Sequence, residues 1–305
     1  MKYNCILDCD PGHDDAMAIM LLGKAPNLNC LGITTVSGNQ TIEKTTINAL
    51  SVVDYLGLDY KVYMGSDKPL KREKRICSEI HGDSGLEGFK YTKLNQTYEK
   101  EFAVDFIVEM CQKYSDIILI PTAPLTNIAK ALIKDPSIKK NISKIVLMGG
   151  AIKNGNITKA AEFNILVDPE AADIVFSSGL EIYMVGLDVT RRSCVTYEYV
   201  DDVCKTETNG TILFKDLMYP YLKNQHDFFG LTAAPLHDPL TVAYLIDNSI
   251  LKFEKADVTI EVEDNELLGR TYTNFNNPTG NTYVATDVDV DKYFKLIKEY
   301  LLLYK

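Results

Sequence analysis

The sequence predicts an α/β fold: a single domain over residues 1–305, built on an open, mostly parallel sheet with flanking helices. Two observations carry this. Apolar runs of strand length alternate with longer segments of helical character through most of the chain, the rhythm of a parallel sheet with crossover helices. Several of these runs end in turn residues and then polar side chains. In open α/β sheets the carboxyl ends of the strands are where ligands bind.

Residues 3–7 read as a buried strand and 16–22 as an apolar helix, with Pro11-Gly12 the turn between them. A second strand, 29–36, ends in Ser37-Gly38-Asn39 and precedes a helix over 41–56 with Thr41 as N-cap. A short strand over 61–64 and a helix over 102–114 follow. Next come the strand 116–120 closed by Pro121-Thr122, the helix 125–133, and the strand 144–148 closed by Gly149-Gly150. A helix over 169–177, a strand over 181–185, and helices over 211–223 and 237–246 continue the pattern. Two strands near 257–263 and 270–276 and a helix over 291–303 complete it, with no linker or repeat to divide the chain.

A hydrophobic content of 46% supplies a full core, and no run approaches the ~20 apolar residues of a membrane span. Met1-Lys2-Tyr3-Asn4 leads straight into a strand, not into an apolar leader. Seven cysteines without a Cys-x-x-Cys pair suit a reducing cytoplasm and read as small buried hydrophobes. A net charge of -10 argues against nucleic acid as a partner, and the basic run at 68–74 reads as a solvated loop. Neither Gly-x-x-x-x-Gly-Lys nor Gly-x-Gly-x-x-Gly is present. A neutral, hydroxyl-rich small molecule fits an acidic pocket better than a phosphorylated one.

The most informative stretch is Asp8-Cys9-Asp10-Pro11-Gly12-His13-Asp14-Asp15, four aspartates at one strand-to-helix turn. One or two could be helix caps or first-turn charges. Four would repel and take up protons unless a hard cation such as Ca²⁺ or Mg²⁺ held them ionised. The cluster therefore reads as a metal site. Asn39, Thr122, Glu162-Phe163-Asn164 and His237-Asp238-Pro239 stand at other strand ends or helix starts. They join the cluster if those loops share one edge of the sheet.

Asp-x-Asp-Pro-Gly-x-Asp-Asp at 8–15, His81-Gly82-x-Ser84-Gly85, Pro121-Thr122-Ala123-Pro124-Leu125-Thr126-Asn127, Met148-Gly149-Gly150, Glu162-Phe163-Asn164 and His237-Asp238-Pro239 occur in that order. This set resembles the inosine-uridine-preferring nucleoside hydrolases over about four-fifths of the chain. The resemblance implies a Rossmann-like core and a Ca²⁺ ion held by Asp10, Asp15, Asp238 and the carbonyl of Thr122. It makes Asp10 the general base and His237 the acid for the leaving base. Asp14, Asn39, Glu162 and Asn164 would bind the ribose hydroxyls, with Met148 near the sugar, while His81 and Phe163 would line the base pocket. Asp8 matches a supporting position. Pro124 stands where the family often has glycine, which implies a slightly altered loop around Thr122.

The implied reaction is hydrolysis of the N-glycosidic bond of inosine, uridine and related ribonucleosides, in one inverting displacement, as part of nucleoside salvage. A homodimer or homotetramer is implied as well. Residues 219–229, with Tyr221, Gln225 and Phe229, fall where the family carries a mobile flap, or they form an ordinary aromatic helix surface. Two other functions stay open at this point. One is a non-catalytic, metal-dependent nucleoside or sugar binder, which has no need of His237. The other is an aspartate-nucleophile phosphatase, which has no use for Glu162-Phe163-Asn164.

Overall fold

The computed structural model describes residues 2–91, 94–276 and 278–305. Its strands are β1 (Tyr3–Cys9), β2 (Leu28–Thr35), β3 (Val62–Met64), β4 (Ile117–Pro121), β5 (Ile142–Met148), β6 (Ile182–Val185), β7 (Cys194–Val195), β8 (Ala234–Pro235), β9 (Leu251–Ile260), β10 (Thr271–Asn274) and β11 (Thr282–Val288). The helices are α1 (His13–Lys24), α2 (Ile42–Tyr55), α3 (Ser78–His81), α4 (Ala103–Lys113), α5 (Thr126–Lys134), α6 (Phe163–Val167), α7 (Pro169–Phe176), α8 (Leu187–Thr190), α9 (Tyr197–Val203), α10 (Asn209–Phe229), α11 (Pro239–Ile246) and α12 (Val290–Leu301).

Nine strands form one sheet in the order β10-β9-β11-β6-β5-β4-β1-β2-β3. From β3 across to β11 every neighbouring pair is parallel. β9 and β10 then extend the sheet in antiparallel pairing. The fold is thus the expected single α/β domain. β1 pairs with β2 on one side and β4 on the other, so the direction of winding reverses between β1 and β4. The loops leaving these two strands splay apart there and open a crevice. The aspartate turn and Thr122 are those two loops.

All eight strands and eight helices read from the sequence are present, with boundaries shifted by the caps. α1 begins at His13, three residues before the apolar run. Gly12 is extended, and its N–H is accepted by Asp15 Oδ2 at 3.0 Å. Asp14 and Asp15 therefore lie in the first helical turn, where the dipole favours negative charge. From Ala16 to Leu22 the helix is buried all round, packed against α10, α11 and α12. α10 runs on through Pro220 to Phe229 and stops at Gly230, which is left-handed (φ 67). Residues 219–229 are thus the second half of one long helix.

β11 was not anticipated. It lies between β6 and β9, pairing parallel with one and antiparallel with the other. Its apolar residues are interrupted by Thr286 and Asp287, and its ladder to β9 shifts register between Ala285 and Asp287. An alternating pattern broken in this way gives a weak strand signal.

Candidate active site

The crevice is a cavity of about 490 Å³ at the carboxyl edge of the sheet, a volume suited to a small organic ligand. Asp14, Asn39, His81, Thr122, Met148, Glu162, Phe163, Asn164, His237 and Asp238 all line it. Asp10 and Asp15, both 0% exposed, lie directly behind its floor, hydrogen-bonded to the lining residues Asn39 and Thr122. The structure therefore brings all twelve anticipated site residues into one region.

Carboxylate oxygens from Asp14, Asp15 and Asp238 fall within 4.8 Å of one another. Asp10 stands beside this triplet. Its Oδ2 accepts the Asn39 backbone N–H at 2.6 Å, while Asn39 Nδ2 donates to Asp15 Oδ2 at 3.1 Å and lies 3.4 Å from Asp10 Oδ1. A Cβ on Gly38 would collide with the Asp10 carboxylate, so only glycine permits this close approach of side chain to backbone. The Thr122 hydroxyl donates to Asp15 Oδ1 at 2.8 Å, and the Thr122 N–H donates to the Asp8 carbonyl at 2.8 Å. Pro124 leaves that anchoring intact.

Burial, reinforced by the neighbouring Asp15 charge, pushes Asp14 up to about 7. Burial raises Asp15 to about 6, against hydrogen bonds from Gly12 and Thr122. Asp10 and Asp238 are pushed well above the ordinary carboxylate range, again by burial first and by their acidic neighbours second. None of the ion pairs among the described residues involves these four aspartates. The missing countercharge and the all-oxygen donor set fit a hard divalent cation.

Two buried polar residues outside the expected set hold the segments behind the floor together. Asn127, 0% exposed, donates to Asp8 Oδ1 at 2.8 Å and to the Thr35 carbonyl at 2.9 Å, and accepts the Ser66 N–H at 3.0 Å. Asp168, also 0% exposed, accepts the Thr126 hydroxyl at 2.6 Å and the Leu70 N–H at 2.9 Å. Asn127 is the last residue of the mid-chain motif, and that placement was the one signal available for it.

Glu162 caps α6. Its oxygens accept the N–H groups of Asn164 (2.9 Å), Gly150 (3.0 Å) and Ile165 (3.2 Å). Asn164 Nδ2 donates to the carbonyls of Thr122 (3.0 Å) and Met148 (3.2 Å). One amide thus ties the loop after β4 to the loop after β5.

The other side of the cavity is aromatic. The rings of His13, His81 and Tyr221 stack with centroids 5.2–5.8 Å apart. The Glu87 carbonyl can only accept, so His13 Nε2, 3.0 Å away, carries a hydrogen. The backbone N–H of His13 donates to His81 Nδ1 at 3.2 Å. His13 Nδ1 also lies 3.1 Å from His81 Nδ1, and burial holds His81 well below its ordinary pKa, so its ring is neutral. His237 Nδ1 lies 2.7 Å from the Thr190 hydroxyl oxygen. Burial, with the Arg191 charge nearby, lowers His237 to about 3 and keeps the ring neutral. Tyr221, Gln225 and Phe229 of α10 line the cavity too, so this helical segment turns part of its aromatic surface to the ligand space. His13, Thr190 and Arg191 were missed, because nothing in a single sequence links them to a partner so far along the chain.

A family model described as inosine-uridine preferring nucleoside hydrolase matches residues 5–295. The chain is 40% identical over 302 residues to the pyrimidine-specific ribonucleoside hydrolase RihB of Escherichia coli, covering 98% of this chain and 96% of that one. Among solved structures, a purine-preferring ribonucleoside hydrolase from Gardnerella vaginalis aligns with a TM-score of 0.92 at 35% identity, over 98% of this chain and 99% of the other. A plant nucleoside hydrolase aligns with a TM-score of 0.93 at 31% identity, over 99% of each chain. With its carboxylate floor, its capped polar loops and its paired histidines assembled at the sheet's switch point, this chain belongs to the inosine-uridine preferring nucleoside hydrolase family and is a nucleoside hydrolase.

Proposed function

We propose that this enzyme uses Ca²⁺ to hydrolyse the N-glycosidic bond of both purine and pyrimidine ribonucleosides, inosine and uridine among them, releasing free base and ribose for salvage. The observation that carries the substrate side is a cavity floor made of acceptors. Asn39 and Asn164 have committed their amide N–H groups to carboxylate and carbonyl oxygens, so Oδ1 is what each has left to offer. Glu162 accepts three N–H groups and retains one further acceptor direction. With Asp14 beside them, these atoms select a ligand rich in hydroxyl donors and reject phosphate.

The same oxygens favour the positive charge that builds on the ribose as the bond to the base breaks. Asp10, Asp15, Asp238 and the Thr122 carbonyl would hold the cation, with Asp14 close enough to join. Once bound, it would supply the countercharge for the carboxylates and a fixed place for the attacking oxygen. Asp10 takes a proton from water as the water oxygen bonds to the anomeric carbon, and the electron pair of the broken bond leaves with the base. His237 meets the negative charge on that base. A single displacement of this kind inverts the anomeric carbon. Membership of the family disfavours the binder and phosphatase readings.

Relatives of this chain include both a pyrimidine-specific and a purine-preferring enzyme, so a panel of nucleosides is the test. Ribose release from inosine, uridine, adenosine, guanosine and cytidine should be lost on chelation and restored by Ca²⁺. Release that persists after complete stripping, or that only another metal restores, would sink the Ca²⁺ assignment. The reading also places a homodimer or homotetramer in the cytoplasm. The family resemblance supports the assembly, and seven unpaired cysteines support a reducing compartment. A monomer by sedimentation velocity would refute the assembly.

A further inference from the structure

What His237 can offer a departing base depends on which ring nitrogen carries its hydrogen. We infer that Thr190 settles this, donating its hydroxyl hydrogen to Nδ1 and thereby keeping the ring proton on Nε2. Thr190 is then a positioning residue for the leaving-group side of the reaction. The inference rests on the placement of His237 at the leaving base given above, and changes its role there from proton donor to hydrogen-bond donor.

Thr190 is 0% exposed, and its Oγ1 lies 2.7 Å from His237 Nδ1. Among the described residues that hydroxyl has no other hydrogen-bond partner. A hydroxyl has one hydrogen to place, and stranding it in the interior is costly. If Nδ1 carried a proton, in either a neutral or a doubly protonated ring, it would donate to Oγ1. The threonine hydrogen would then have no acceptor. Nδ1 as acceptor satisfies both atoms, and the proton of the imidazole then belongs to Nε2.

The hydroxyl is held in place from several sides. At the start of α8, the Leu187 N–H donates to the Gly150 carbonyl at 2.9 Å. Asp188 Oδ2 accepts the Ile152 N–H at 2.6 Å. Arg191 donates to the carbonyls of Asn154 (2.9 Å) and Gly155 (2.5 Å). His237 is tied to the same segment, because β7 and β8 pair and the Leu236 N–H donates to the Ser193 carbonyl at 2.9 Å. Donor and acceptor thus sit on two stretches of chain that are hydrogen-bonded to each other, so their separation is a property of the scaffold.

An Nε2–H ring acts by hydrogen bonding. As the electron pair of the broken C–N bond arrives on the base, the hydrogen bond from Nε2 strengthens. The proton stays on His237, and solvent protonates the released base. A leaving group that needs no such help, such as p-nitrophenolate, should depend little on this arrangement.

The test compares Thr190→Val, which keeps the shape and deletes the donor, with Thr190→Ser, which keeps the donor. Both are assayed as metal-loaded enzymes on inosine and on p-nitrophenyl riboside, with His237→Ala as control. In Thr190→Val the ratio of kcat/KM for inosine to that for the riboside should fall roughly tenfold, the loss of about one hydrogen bond. Thr190→Ser should restore it. Nitrogen-15 spectra are tractable with four histidines in the chain. They should show His237 as the Nε2–H form in the parent and as mixed tautomers in Thr190→Val. An unchanged ratio in Thr190→Val, an equal loss on both substrates, or an Nδ1–H pattern in the parent would each overturn the inference. Equal loss on both substrates in His237→Ala would instead overturn the role of His237 itself.

Discussion

Asn39 holds Asp10 through its own backbone, with the amide N–H donating to Oδ2 at 2.6 Å. The contact is short and charge-assisted, and it aims a carboxylate that burial would otherwise leave both protonated and free to turn. Asp10→Asn keeps the size of the side chain but cannot take a proton. Turnover of inosine, read as ribose release, should fall about a thousandfold, and Asp10→Ala should abolish it. Activity within tenfold of the parent in Asp10→Asn would remove Asp10 as the base.

Proton and cation compete for the same oxygens. Asp14 titrates at about 7 and Asp15 at about 6 in the metal-free fold, so each gains a proton as pH falls through those values. Metal affinity should therefore weaken below about pH 7, by up to tenfold per pH unit for each proton displaced. Calcium titrations followed by calorimetry at several pH values check this. An affinity flat from pH 7.5 to 5.5 would show that these carboxylates do not hold the metal.

The metal-free protein should also lose stability as pH rises. A carboxyl whose folded pKa exceeds its unfolded value of ~3.9 binds more protons when folded, so its stabilisation is present at low pH and lost through the folded pKa. His13 and His237, lowered to about 4 and about 3 from 6.5, work the other way but only below about pH 6.5. Between pH 6.5 and 7.5 the carboxylates act alone, and Tm should fall. Calcium-loaded enzyme should show a flatter profile by scanning calorimetry, and identical profiles would refute the account.

Glu162→Ala removes the cap of α6 and leaves the Gly150 N–H without its acceptor. A lost cap and an orphaned buried donor together predict a destabilisation of about 3 kcal/mol in urea titration. Ribose-dependent binding should weaken with it. An unchanged KM would separate the structural role from the substrate role.

Asn127→Ala should destabilise by a similar amount, about 3 kcal/mol, because it strips Asp8, Thr35 and Ser66 of partners at once. Its effect on kcat should exceed that of an equally destabilising change remote from the floor, since Asp8 and Asp10 sit on the same strand end. Equal effects would assign Asn127 to stability alone.

The aspartate turn was legible because Pro11-Gly12 announces a break between two apolar runs, and because four carboxylates in eight residues demand a countercharge. Helix starts were less so. The apolar pattern begins at Ala16, but the helix begins where Asp15 can cap Gly12, and a hydropathy reading cannot see a cap made by a helical residue. β11 escaped because its strand character comes from neighbours on both sides, supplied by segments far away in sequence. The acidic and amide half of the cavity is concentrated in short motifs and could be read. The aromatic half is assembled from α1, α3 and α10, so its stacking of His13, His81 and Tyr221 exists only in three dimensions.

The position of β11 also sets an order of assembly. Until residues 282–288 are made and seated, β6 has an open parallel edge and β9 has no route into the sheet. α1, which carries Asp14 and Asp15, is braced by the Tyr304 hydroxyl donating to the Met20 carbonyl at 2.6 Å, a contact spanning 284 positions. A chain emerging from the ribosome would thus display its whole aspartate turn long before either support exists. Such dependence on distant pairing slows folding and leaves an unpaired edge exposed to other nascent chains.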